Sequence, residues 1–283
     1  MGGGFGGFGG RTDYDYYAGG AAYGDLLRRL EGGSGGGGGA YYEDFVSQPG
    51  QDGGGGGGAL EIGAVAKLHI AAPLSANGSS NLRGISHGGG GSGGGLLLHA
   101  ALLTLATSAL SATGDAGALA GGGGGGGGRI VLLGLDDYEY GKVPAGISLD
   151  GGKDSSYVGR AGVFTVSPRR CIVGACQSPV FNPGVIVPGQ TGAADPRIEV
   201  LRPHDLSVLS GAVATLAGDE ALPADASLTI SGSGLVKLVA QKQQLAALGG
   251  DGHLDLGNGV LTVASGMDNH FAGTLQGAGG LTK

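Results

Sequence analysis

Three apolar runs, each entered from a block of glycines, set the pattern of the first half of the chain. Residues 53–58 lead into ALEIGAVAKLHIAAPLSANG (59–78), the block around 88–95 into LLLHAALLTLATSALSATG (96–114), and 121–128 into RIVLLGLDDYEYG (129–141). The first two runs align with a single gap, which sets Leu68 on Leu105 and LSANG (74–78) on LSATG (110–114). Their starts lie about 33 to 37 residues apart, the spacing of stacked repeats. Leu60, Ile62, Leu68 and Ile70 alternate in part with Lys67 and His69, a period of two that predicts strands. Residues 96–112 lean toward helix on their Leu and Ala content. The repeat alignment decides for strand.

The second half is patterned differently. GVFTV (162–166), GVIVPG (184–189) and RIEVL (197–201) predict short strands between Pro and Gly turns. From Leu222 onward, β-branched strands alternate with Gly, Asn and Asp turns: SLTISGSG, then DGHLDLGNGVLTVASG, then HFAGTLQGAGGLTK. LVKLVAQKQQLAAL (235–248) fits a strand pattern and also one helix face through 235, 238, 239, 245 and 246, so both assignments stand. Ahead of the repeats, residues 1–31 predict a flexible Gly/Tyr-rich tail in which GDLLRRLEG (24–32) forms two helical turns capped by glycine.

Composition narrows the architecture. Glycine fills 69 of 283 positions, and each loses more backbone entropy on ordering than any other residue. A stack of coils offsets this by burying one apolar face against the next coil, with a gain that grows along the axis. The 41% hydrophobic content, gathered in runs, argues for ordered strands joined by mobile glycine loops. Net charge is -7 with no basic stripe, unlike a nucleic-acid binder. Met1 is followed by GGGFGGFGG, which is neither a signal peptide nor, with Gly6 at position six, a myristoylation motif. Residues 96–112 hold His99 and several hydroxyls and fall short of a membrane span.

The most specific stretch is DGHLDLGNGVLTVASGMDNHFAGTLQGAGGLTK (251–283). A strand ending in LTV is followed by Phe271, Gly273, Leu275, Gly277, Gly279, Gly280, Leu281, Thr282 and Lys283. This order resembles the signature of the autotransporter-associated β-strand repeat, and Ser233–Lys237 resembles a weaker earlier copy. The glycine blocks upstream are similar to glycine-rich stretches of large bacterial surface proteins. The resemblance implies a right-handed parallel β-helix, the passenger of a secreted or surface-displayed protein, carried across the outer membrane by a separate translocator barrel. It also implies that this chain is a piece of a longer product. The pattern itself agrees: LGNGVL (256–261) suits a corner that needs positive φ, and Phe271, Leu275 and Leu281 are expected to point inward and stack on neighbouring coils.

Candidate chemistry is sparse. Asp136, Asp137 and Glu139 in DDYEY form the one acidic knot; paired carboxylates of this kind serve polysaccharide-cleaving β-helix enzymes. His204 and Asp205 are a second acid–base pair, with nothing to place them near the knot. The six histidines (69, 87, 99, 204, 253 and 270) show no metal-ligand spacing. GGDGHLDLG (249–257) is close to a calcium nonapeptide, but its carboxylate, Asp255, arrives one residue late. The glycines before Arg129 lack the G-K-[ST] ending of a phosphate loop. Cys171 and Cys176 flank IVGA and, in an exported protein, are expected to close a local disulfide, with free thiols as the alternative.

The sequence therefore predicts an all-β chain, a right-handed parallel β-helix with polyglycine-rich coils and loops. Its expected parts are a tail (1–31), a glycine-repeat solenoid (32–150), an irregular β segment with the cysteine pair (151–221) and the signature region (222–283). The expected function is a non-catalytic structural or adhesive passenger at the bacterial surface, without cofactor or metal. Its expected partners are the translocator barrel, a host or surface glycan or protein, and further copies of itself end to end, with no nucleic acid. The alternatives are a carbohydrate lyase or hydrolase using the 136–139 cluster, and a flexible glycine-rich matrix.

Overall fold

A computed structural model describes residues 2–10, 19–39, 41–43, 46–48, 52–80, 88–106, 109–117, 122–153, 157–182, 187–188, 195–239, 242–264 and 269–283. Among these residues there is no helix, and the chain forms 22 strands. A short antiparallel hairpin, β1 (Tyr41–Glu43) and β2 (Val46–Gln48), comes first. Long strands then alternate with two-residue ones: β3 (Ala59–Ile70), β4 (Leu74–Ser75), β5 (Gly95–Leu105), β6 (Leu110–Ser111), β7 (Arg129–Glu139), β8 (Ile147–Ser148) and β9 (Val163–Val173). The remainder are short: β10 (Val180–Phe181), β11 (Val187–Pro188), β12 (Arg197–Val200), β13 (Asp205–Val208), β14 (Val213–Leu216), β15 (Ser227–Ile230), β16 (Leu235–Leu238), β17 (Lys242–Leu245), β18 (Ala247–Gly250), β19 (His253–Asp255), β20 (Val260–Val263), β21 (Thr274–Gln276) and β22 (Gly280–Thr282). The chain divides into two compact units, residues 1–132, 143–165 and 189–198 in the first, and 133–142, 166–188 and 199–283 in the second.

In the first unit, successive repeats stack in parallel. Leu60 pairs with Leu96 and Ile62 with Leu98; LSANG and LSATG come into register through Leu74–Leu110 and Ser75–Ser111, then Ile147 and Ser148. A bulge between Ala64 and Lys67 shifts the register, so Leu68 pairs with Leu103, not with Leu105, and Ile70 takes Leu105. Leu96, Leu98, Leu103 and Leu110 are fully buried, so within 96–112 the described residues form strand, β5 and β6, and not helix. No helix among the described residues is long and apolar enough to cross a membrane.

The glycine blocks are not loops. Each packs backbone to backbone with a hydrogen-bonding period of three. Gly90 and Gly93 donate to Gly123 and Gly126, Gly91 and Gly94 to Ser79 and Ala76, and Gly89 and Ser92 to Gly37 and Ser34. Three residues per turn, with no bonds inside a segment, is the geometry of an extended threefold helix that turns its N–H groups to three neighbours in rotation. The pattern recurs one repeat later: Gly124 and Gly127 donate to Tyr157 and Arg160, and Gly125 and Gly128 to Asp115 and Ala112. At its close-packed positions a side chain has no room: a Cβ on Gly125 would sit 1.9 Å from the Gly91 oxygen and one on Gly127 2.0 Å from that of Leu149. The one hydroxyl inside the block, Ser92, is fully buried and satisfied: its Oγ accepts from the Ser34 N–H at 2.9 Å.

Residues 2–10, expected as part of a flexible tail, belong to this array. Gly7 and Gly10 donate to Gly127 and Gly124, and Phe5 is fully buried against Tyr23. The two helical turns expected over 24–32 reduce to one turn, in which Asp25 accepts from Arg28, Arg29 and, through Oδ1, Leu27.

In the second unit, coils of about 18 to 22 residues build three parallel ladders. Leu206, Leu228 and Leu248 align on one face; Ala214, Val236, Leu254 and Leu275 on the next; Gln243, Leu261 and Leu281 on the third. Alternate residues are buried along β12 to β17 and β20, as in β14 and β15, so the inward columns form the core. The 235–248 stretch resolves to β16, β17 and β18; Val239, on the supposed helix face, is 67% exposed. Gln243 occupies an inward position at 1% exposure. Its amide accepts from the Leu222 N–H and donates to the Leu222 carbonyl, both at 3.1 Å, which satisfies a polar group that burial alone would penalise.

Candidate functional site

The acidic knot lies at the end of β7, where alternation sends Tyr138 inward and its neighbours out. Arg170 on β9 donates through Nε and Nη2 to the two oxygens of Asp137, both at 2.7 Å, and the pairing holds the guanidinium above its usual range. Lys142 bonds to Glu139. Two of the three carboxylates expected to act as acid and base are thus engaged by cations, and Asp136 is exposed on the same strand. The bidentate fork fixes geometry, though both partners are about half exposed.

The cysteines are both free thiols, so the expected disulfide is not formed. Cys171 is an inward residue of β9 and fully buried; burial pushes its thiol up to about 12. Cys176 lies beyond the strand, exposed, with φ of 64°. A strand residue facing the core and a turn residue facing solvent have no sulfur–sulfur approach. Tyr138 shares the buried environment of Cys171, and its hydroxyl is raised above the ordinary value of 10.0, first by burial and then by the nearby Cys171.

The C-terminal signature residues all take positions in the ladders or their corners. Phe271 bridges Gly250 in parallel, Leu275 aligns with Leu254 and Leu281 with Leu261, and Thr282 pairs with Thr262. Gly277 has φ of 103°, while a Cβ on Gly273 or Gly279 would meet the Gly252 or Gly259 oxygen at 2.0 or 2.1 Å. Gly280 opens β22 opposite Val260, and Lys283 follows it, exposed. Leu275 and Leu281 extend the inward columns yet remain 42% and 48% exposed, and Phe271 is half-buried, so the expected burial is incomplete on this coil. In the earlier copy, Ser233 shares a 2.8 Å bond with Ser210 one coil back. The carboxylates of the nonapeptide-like stretch act as turn caps: Asp251 accepts from Gly232 and Asp255 from Gly257. No group of three or more potential metal ligands occurs among the described residues.

The histidines sort into surface contacts and one cluster. His69 bonds to Thr104 at 2.8 Å and His99 to Glu61 at 3.0 Å; His253 and His270 are exposed, and His87 lies outside the described residues. His204 and Asp205, read from the sequence as an acid–base pair, do meet: Nδ1 lies 2.9 Å from Asp205 Oδ1. The sequence reading missed the third member, Asp225, whose Oδ2 lies 3.3 Å from His204 Nε2. The signal was the coil length, which sets residues about one rung apart side by side and also brings the Ser227 N–H to Asp205 at 2.7 Å. Both contacts of His204 become hydrogen bonds together only when both ring nitrogens carry protons. The His204 contact is the largest influence holding the Asp225 carboxyl below its usual value. Comparison with protein-family models, curated proteins and solved structures finds no match to this chain.

Proposed function

We propose that the chain is a non-catalytic β-solenoid from a secreted or cell-surface bacterial protein, acting as a stalk or adhesive surface. The observation that carries this reading is the glycine array: successive repeats commit their backbone to one another, with close approaches that exclude a Cβ at most of its glycines. Such an arrangement makes a scaffold that presents strand faces and turns. The resemblance of 251–283 to the autotransporter-associated repeat supports the location, and with it a translocator barrel elsewhere in the parent chain. A surface glycan or protein is the proposed ligand class. Half-exposed Leu275 and Leu281 on an inward column support end-to-end association of copies. The polysaccharide-cleaving alternative is weakened because Asp137 and Glu139 are paired with Arg170 and Lys142.

The test is to incubate the chain with a panel of acidic and neutral polysaccharides, measuring bound protein and newly formed reducing or unsaturated ends in parallel. The expected result is binding to one or more surfaces without new ends. Cleavage that disappears in Asp136→Asn or Asp137→Asn would overturn the proposal in favour of an enzyme.

A further inference from the structure

A concavity of about 280 Å³ in the second unit is walled by Ser167, Pro168, Arg169, Arg202, His204 and Pro223. We propose that it is a binding site for an oxyanion, a carboxylate or sulfate group carried on a ligand no larger than one sugar unit. Two guanidinium groups, an imidazole and a hydroxyl line it, with no carboxylate, in a chain whose net charge is -7. The nearest acids are already engaged. Asp205 and Asp225 hold His204 from both sides, and Asp205 also accepts from Ser227.

The adjacent arginines on β9 divide the work. Arg170 makes the bidentate pair with Asp137, whereas Arg169 lines the concavity. Among the described residues, neither Arg169 nor Arg202 comes within 4 Å of a carboxylate oxygen; Arg202 acts on Asp225 only at longer range, and its Nε is buried without a hydrogen-bond partner. An unmatched buried donor is costly, and a guanidinium presents a planar fork whose natural complement is a pair of ligand oxygens. A bound oxyanion would give both guanidinium groups a charge partner through their terminal N–H groups, while the Ser167 hydroxyl remains for a sugar hydroxyl. The volume lies just below the roughly 300–1,000 Å³ of drug-sized pockets and matches one small unit seated against these residues. The site stands independently of the adhesive reading.

The experiment titrates the full chain, at constant ionic strength, with sodium sulfate, with glucuronate and with neutral glucose, following arginine side-chain N–H resonances by NMR. Saturable shifts with sulfate, glucuronate or both, and none with glucose, are expected; which anion binds separates the sulfate source from the carboxylate one. Arg202→Gln should weaken binding about tenfold or more, the loss expected for one charge-assisted pair, with partial recovery in Arg202→Lys. Arg170→Gln should bind as the parent does. Arg169 is exposed, so Arg169→Gln tests the site in a folded background should Arg202→Gln lower the melting temperature. No saturable response to either anion, an equal response to glucose, or unchanged affinity in both Arg169→Gln and Arg202→Gln would overturn the proposal.

Discussion

Replacing Gly128 by alanine tests the glycine array against a control built into the same repeat. Gly58, Gly94, Gly128 and Gly162 hold one equivalent position: each carbonyl accepts from the first residue of a strand in the next repeat, Gly95, Arg129, Val163 and Arg197 respectively. A Cβ on Gly128 would lie 2.1 Å from the Gly94 oxygen and 2.9 Å from the Ala112 Cβ, whereas one on Gly58 meets nothing within 4 Å. Real Cβ contacts stay beyond 3.0 Å, so the backbones around Gly128 must part by at least the difference, 3.0 − 2.1 = 0.9 Å. Motion on that scale strains the bonds Gly128–Ala112 (2.7 Å), Arg129–Gly94 (2.9 Å) and Val163–Gly128 (3.0 Å). Two orphaned buried groups cost about 2–6 kcal/mol, against about 0.4–1 kcal/mol gained from a less flexible unfolded chain. The net loss of about 1–6 kcal/mol corresponds to a fall in Tm of roughly 2–22 °C. Gly58→Ala should leave Tm unchanged or raise it slightly. Thermal melts followed by far-ultraviolet circular dichroism give the comparison. If the two variants melt within a degree or two of each other, the close-packed array is refuted.

Gln243→Leu should destabilise despite matching Leu261 and Leu281 in its column, because the Leu222 N–H and carbonyl lose their partner; about 1–3 kcal/mol per group is expected in urea denaturation. Cys176 should react with a thiol reagent in the folded protein, and Cys171 only after unfolding. Because burial lifts Cys171 from 9.0 to about 12, the folded chain binds more protons than the unfolded one between those values. Its contribution to stability is complete below pH 9 and declines as pH rises toward 12; Tyr138, raised from 10.0, acts in the same direction. Urea midpoints measured from pH 8 to 11 should fall accordingly, with a shallower fall in Cys171→Ala. Asp137→Asn should cost no more than about 1 kcal/mol, an effect that shrinks in high salt, since the pair with Arg170 is half exposed.

Strand positions were legible because alternation and repeat spacing are carried by side chains. The alignment of LSANG with LSATG became the Leu74–Leu110 pairing, and the Leu column of the signature became the Leu254–Leu275 ladder. The bulge at Ala64–Lys67 was not legible, since a one-residue slip leaves no compositional mark. The glycine blocks were misread as loops for a related reason: a backbone array with a period of three has no side-chain pattern to betray it. In 235–248, five apolar positions suited a helix face, and only pairing with neighbouring coils chose the strands. The His204–Asp205 pair was visible as adjacent letters, while Asp225, Arg169 and Arg202 joined it through coil stacking that a linear reading does not supply.

The threefold rotation of the array also bears on how such a protein can lengthen during evolution. Each N–H in the 89–94 block faces one of three neighbours in turn, so one inserted glycine rotates every later donor by about 120° and aims it at the wrong segment. Inserting three restores the original facing. Tandem glycine codons are prone to gain and loss, and such a lattice would tolerate those changes in steps of three residues while rejecting the rest, giving its blocks a quantised length.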